Sequence, residues 1–192
     1  MLDRTQTAAP AGILDAQVSL VGSIDDALIR SMLEQLAKVP DGDDPVVLEL
    51  TTLGGDAEMG RRAMLEVELA RERLQPRRMV FVGKTVVYSA GVTLMSGFPR
   101  EDRFLTADAA LLIHCRQLEK TLELQGPLRG SLPLVEALCH ELKTGIALET
   151  ENFERLIAGS DVAIDELREK ALYNWYVPAK EALSRRLIAG IV

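Results

Sequence analysis

Short apolar runs alternate along this chain with stretches whose apolar residues recur at helical spacing, and that alternation leaves few folds open. "AQVSLVGSI" (16–24) alternates like a half-buried strand. "SIDD" (23–26) marks a helix start, with Ser23 as cap and Asp26 in the first turn, and Ile29, Met32, Leu33 and Leu36 then share one face. "VVLEL" (46–50) is a short buried strand followed by the loop "TTLGGD". Positions 59, 63, 67, 70 and 74 form an apolar stripe on a charged helix over 58–74, and "RMVFVG" (78–83) is the next strand. "RFLTA" and "AALLIH" are two further strands. A long helix comes next and runs to about residue 157, with a break expected near Gly145. A helix near 162–173 and "KEALSRRLIAGIV" close the chain. Strands alternating with helices predict an α/β fold around a mainly parallel sheet.

The 192 residues suit one domain over 1–192, with a short arm over 1–15 before the first strand. No internal repeat, low-complexity tract or linker divides them. The net charge of −7 argues against a nucleic-acid partner, which selects a basic face. No apolar run has the length of a membrane span, and the first residues lack a signal-peptide core, so a cytoplasmic location is expected. Two cysteines, Cys115 and Cys139, are too few for a disulfide framework.

The stretch "KTVVYSAGVTLMSG" (84–97) carries the chemical question. A strand-like run ends at Tyr88, Ser89 comes next, and an apolar helix begins at once. The hydroxyl either satisfies that helix end or is a nucleophile on a sharp strand-to-helix turn. A nucleophilic serine needs a base. Of the two histidines, His140 lies on a charged helix, whereas His114 ends the apolar run "AALLI", where a strand delivers it to the edge of the sheet. Gly54-Gly55 comes after another strand and can present bare N–H groups to an anion, or simply turn the chain. Other motifs carry less. Gly83-Lys84-Thr85 lacks the glycine that a phosphate-binding loop needs at position 78, where Arg78 stands. Cys139-His140 is one adjacent pair without further metal ligands, so no metal and no cofactor is expected. Glu66, Glu68 and Glu72 read as a solvated helix face.

"LGGD", then "YSAG" before a short helix, then "LLIH", in this order and with Ser89 and His114 25 residues apart, resembles the Clp protease proteolytic subunit family over roughly 15–192. The resemblance implies a ClpP/crotonase-like spiral of β-β-α units with a projecting handle helix. It implies a serine endopeptidase that cuts peptides or unfolded protein through an acyl-enzyme on Ser89. His114 would be the base, and the N–H groups of Gly55 and Ala90 the oxyanion hole. The family tail Ser-Ala-x-Glu-Ala falls on Pro178-Ala179-Lys180-Glu181-Ala182, which puts Asn174 on the acidic triad position, with Asp161, Asp165 and Glu169 in poorer register. A homo-oligomeric ring, in pairs, is implied, with apolar handle positions Leu134, Val135, Leu138, Leu142, Ile146, Phe153 and Ile157. The family's partner is an ATP-dependent unfoldase, and the short arm before residue 16 leaves little chain for the loops that face it. The chain departs from the pattern at Thr51-Thr52-Leu53 (Asn-Ser-Pro in the family), at Tyr88 (Ala), in a longer turn over 83–89, and in an expanded segment after His114. Two other readings stand beside the peptidase: a non-catalytic ring-forming subunit of the same fold, and a crotonase-type acyl-CoA enzyme.

Overall fold

The computed structural model describes residues 7–192; the first six residues of the expected N-terminal arm lie outside the described residues. The strands are β1 (Val18–Val21), β2 (Val46–Thr52), β3 (Met79–Tyr88), β4 (Arg103–Leu105), β5 (Ala110–Ile113), β6 (Trp175–Pro178) and β7 (Gly190–Ile191). The helices are α1 (Asp26–Leu36), α2 (Ala57–Leu74), α3 (Ala90–Met95), α4 (Leu128–Ile157), α5 (Ile164–Ala171) and α6 (Ala179–Ser184). The seven strands form one sheet in the order β1-β2-β3-β4-β7, with β5 on β3 and β6 on β5. All pairs are parallel except β5–β6.

β3 determines the geometry. Its first half pairs with β4 through Phe81, Val82 and Gly83, and its second half pairs with β5 through Val86, Val87 and Tyr88. Between the halves Thr85 has φ of 55°, and the register to β2 shifts between Leu50 and Thr52. A bulge bends a strand and re-aims the residues beyond it. One strand therefore serves two neighbours, and the sheet turns a corner there. The strand-like run expected to end at Tyr88 is the second half of β3, and the longer turn expected over 83–89 is a bulge within that strand.

The larger core lies on the helix side, from Val18, Leu20 and Leu48 through Ala63, Val67 and Ala70 of α2 to Phe153, Leu156 and Leu187. The other sheet face is covered by Ile13, Ala16 and Val192 packed on Val47, Val80, Val82 and Phe104. Three local expectations need correction. Asp25, not Ser23, caps α1, because the Asp25 carboxylate accepts from the Leu28 N–H at 2.9 Å. α4 runs unbroken through Gly145. Glu66 is not solvated; it is buried on α2 and paired with Arg62.

Arg103, 2% exposed, is the largest fully buried side chain. Among the described residues no carboxylate bonds to it. Its guanidinium donates to the carbonyls of Phe98 (2.8 Å), Leu156 (2.6 Å), Arg155 (3.2 Å) and Leu187 (3.5 Å). One side chain thus ties β4 to the end of α4 and to the chain before β7. Burial pulls its pKa down to about 10, still far above neutrality, so the group folds in charged. Arg103→Ala should cost about 3 kcal/mol or more, since it empties a buried volume and leaves carbonyls unpaired. Urea denaturation measures this, and a loss below about 1 kcal/mol would contradict the role.

Candidate active site

Ser89 ends β3 and precedes α3 with φ 54° and ψ −116°, a conformation a non-glycine residue rarely adopts. Its N–H still donates to the Leu112 carbonyl at 2.9 Å, as a strand residue would, while its own carbonyl accepts from Val92 at 2.9 Å, as a helix cap would. Strand and helix therefore meet within one residue, and the hydroxyl is held out at the corner. Such backbone strain concentrates at functional sites.

The parallel register Tyr88↔Leu112 carries the next residues of β3 and β5 past the sheet edge side by side. His114 is thereby brought to Ser89, with Nε2 2.8 Å from Oγ. Both residues are half-buried. The Nδ1 atom lies 2.7 Å from the main-chain carbonyl of Cys115. A carbonyl oxygen can only accept, so this contact requires the proton on Nδ1 and leaves the Nε2 lone pair facing the hydroxyl.

Asn174 does not occupy that position. The antiparallel register Ile113↔Trp175 puts Asn174 opposite His114 one step on, but φ of 60° turns the chain there. Its side chain is exposed and makes no hydrogen bond to the ring among the described residues. Asp161 pairs with Arg186 and Asp165 with Arg168, and neither meets His114.

The Gly54-Gly55 loop is locked to the segment before α1. Ile24 N–H donates to the Gly54 carbonyl at 2.8 Å, and Asp56 N–H donates to the Ile24 carbonyl at 2.9 Å. The Gly55 N–H points away from this bridge and, like that of Ala90 at the start of α3, has no acceptor among the described residues. Asp56 caps α2 through the Glu58 and Met59 N–H groups, so those donors are occupied while Gly55 stays open. Gly55, Ala90, Ser89 and His114 line one cleft of about 460 Å³. That volume suits a few residues of a peptide.

Sequence reasoning missed the cleft's polar wall. Glu58 of α2 pairs with Arg116, two residues after His114, and with Arg61 at 2.8 Å. Arg116 and Arg61 together hold the Glu58 carboxyl below its usual range. Glu149 of α4 accepts the Arg116 main-chain N–H. Burial, reinforced by Glu149, pushes the Cys115 thiol up, so it stays protonated and unreactive. The Tyr88 and Tyr176 rings stack edge to face at 5.7 Å, bracing β3 and β6 across β5. Tyr88 was visible only as a departure from a pattern. The Cys115 carbonyl had no signal in the sequence, because any residue supplies one. Cys139 and His140 are both exposed, and no group of three metal-ligating side chains exists among the described residues.

Over 94% of its length the chain superposes on 92% of a solved structure of an Asn-to-Asp mutant of ClpP1 from Listeria monocytogenes, with a TM-score of 0.70 and 17% identity. The chain has the ClpP fold. In sequence it is similar to an ATP-dependent Clp protease proteolytic subunit of Paracoccus denitrificans, 29% identical over 100 residues. That match takes in 52% of this chain, which thus spans about half the length of the curated relative, 48%. No family model matches. The projecting α4 and the corner at β3 are therefore features of a ClpP-type fold, and no described helix is long and apolar enough to cross a membrane.

A Cβ on Gly55 would stand 2.4 Å from the Ile24 carbonyl oxygen, at φ of 153°. Gly55→Ala should therefore destabilise the protein by about 1–3 kcal/mol. A change under about 0.5 kcal/mol in urea would mean that the loop is free to move and does not fix the Gly55 N–H.

Proposed function

We propose that this protein is a serine peptidase of the ClpP type, acting on peptides or unfolded chains by acyl transfer to Ser89. One observation carries the reading: Ser89 Oγ at 2.8 Å from His114 Nε2, with Nδ1 at 2.7 Å from a group that can only accept. Ser89 attacks the peptide carbonyl while His114 takes its proton. The developing oxyanion is met by the Gly55 and Ala90 N–H groups, each such donor being worth about 3 kcal/mol in the transition state. His114 then protonates the leaving amine, and water releases the acyl group by the same steps in reverse.

The Cys115 carbonyl takes the place of the triad acid. In Ser-His-Asp enzymes, exchanging Asp for Asn costs roughly 10⁴ in turnover, because the amide allows the wrong tautomer. A carbonyl avoids that error. It carries only a partial charge, so it stabilises the imidazolium less than a carboxylate and favours modest turnover.

Assembly into a homo-oligomer belongs to the same reading. Leu128, Leu132 and Leu134 at the start of α4 are all exposed, more apolar surface than a projecting helix ordinarily leaves to water. Light scattering should therefore give a ring-sized particle, and a stable monomer would remove this part.

Hydrolysis of a short fluorogenic peptide tests the mechanism. Ser89→Ala and His114→Ala should each lose about 10³-fold or more. Asn174→Gly keeps the left-handed backbone and removes no bond to the ring, so it should stay within about threefold of wild type. A loss with Asn174→Gly as large as with His114→Ala would return the orienting role to the Asn174 side chain. Absence of hydrolysis in a correctly assembled wild type would favour a non-catalytic, ring-forming subunit.

A further inference from the structure

Thr52, the last residue of β2, is a polar side chain inside the core, 2% exposed. Both branches of its Cβ are engaged, and each meets a segment that carries an open N–H of the catalytic cleft. On one branch the hydroxyl accepts from the Gly54 N–H at 3.0 Å and donates to the Gly54 carbonyl at 3.2 Å. On the other, the methyl fills the space above Gly91, where an added Cβ would stand 2.4 Å from Thr52 Cγ2. Gly91 directly follows Ala90 in the first turn of α3. A β-branched side chain is stiff at χ1, so the two contacts are fixed relative to each other.

The Gly54 carbonyl shares one planar peptide with the Gly55 N–H, and in a trans peptide the two point in opposite directions. A bond that fixes the carbonyl therefore aims the N–H. Thr52 holds that carbonyl from the β2 side, and the Ile24 N–H holds it from the segment before α1, at 2.8 Å. Gly54 and Gly55 have φ of 110° and 153°, and two successive glycines leave the peptide between them free to turn over unless such bonds restrain it. Two donors on one carbonyl also polarise the peptide, which strengthens its N–H as a donor.

Resting on the peptidase reading of Ser89, we propose that Thr52 is the positioning residue of the oxyanion hole: its hydroxyl sets the plane of the Gly54–Gly55 peptide, and its methyl sets how close α3 brings the Ala90 N–H. Thr52 acts through these two donors, fixing them before charge develops on the substrate oxygen. Its loss is therefore felt in the transition state and not in ground-state binding. Serine offers the hydroxyl without the methyl, and valine a methyl without the hydroxyl, so the two contacts can be separated.

In hydrolysis of a short fluorogenic peptide, Thr52→Val should lose about tenfold or more in kcat with KM within about twofold, while Thr52→Ser should stay within about fivefold of wild type. A peptide aldehyde reads the hole directly, since Ser89 Oγ adds to the aldehyde carbon and its carbonyl oxygen becomes the tetrahedral oxygen facing the two donors. Thr52→Val should weaken the aldehyde by about the factor lost in kcat and leave binding of the matching peptide amide unchanged. The methyl is tested through Gly91→Ala, whose Cβ meets Thr52 Cγ2 while its next neighbours stand at 3.4 Å or more. Gly91→Ala should lose about tenfold in kcat, and most of that loss should return when it is combined with Thr52→Ser. That cycle needs no Thr52→Val protein, so it decides the matter where that variant does not fold. Wild-type kcat and aldehyde affinity in Thr52→Val, an equal loss for aldehyde and amide, or a Gly91→Ala loss that Thr52→Ser does not relieve would each overturn the proposal. Those results, obtained with an active wild type, leave the peptidase reading standing. A correctly assembled wild type that neither hydrolyses the peptide nor binds the aldehyde more tightly than the amide would overturn the peptidase reading and the proposal together.

Discussion

Everything at the site depends on one strand changing partners. β3 leaves β4 at Gly83, bends at Thr85 and takes up β5 from Val86. Only because Tyr88 is in register with Leu112 do Ser89 and His114 leave the sheet side by side. Ser89 and His114 are therefore placed by main-chain hydrogen bonds, which are short, cooperative and insensitive to surface sequence. Packing secures the corner from outside through Tyr88 on Tyr176. It is secured from inside by Gly54, where an added Cβ would stand 2.9 Å from that of Ser89.

Much of this was legible in the chain. The apolar runs at 46–50 and 78–83, the α2 stripe and the serine between a strand and a helix each arise from local periodicity, and each was found where expected. The features that were not legible depended on tertiary contact. The cap of α1 went to Asp25 because Ser23 is drawn toward the Gly54 carbonyl, 3.5 Å away, a residue distant in sequence. Glu66 is buried because the buried face of α2 is wider than the apolar stripe and takes in position 66 at its edge. The strand-like run ending at Tyr88 was legible, but the bulge at Thr85 and the change of partner to β5 were not, because pairing is invisible to a local pattern. The orienting group of His114 was sought among side chains, where a resemblance directs attention, and a main-chain carbonyl lies there in their place.

A carbonyl in this position and a buried arginine elsewhere obey the same logic. Arg103 is held by carbonyls without a carboxylate, and so is the His114 ring. In both cases the chain uses partial charges that secondary structure already fixes. Such partners cost little to place, but they compensate a full charge incompletely. For Arg103 that is tolerable, since its charge is permanent and its role is to join elements. For His114 it limits how far the imidazolium is stabilised, and this is where the peptidase reading of a ClpP fold is most exposed to experiment.

The most direct measurement is the site of covalent modification by a small fluorophosphonate, located by tandem mass spectrometry on the intact assembly. Only a hydroxyl with a base and an oxyanion hole attacks such a phosphorus centre readily. A single adduct on Ser89, slowed by at least about tenfold in His114→Ala, is the predicted result. An adduct on another residue that persists in Ser89→Ala, or labelling of Ser89 at the same rate without His114, would contradict the claim that these two residues form a reacting pair.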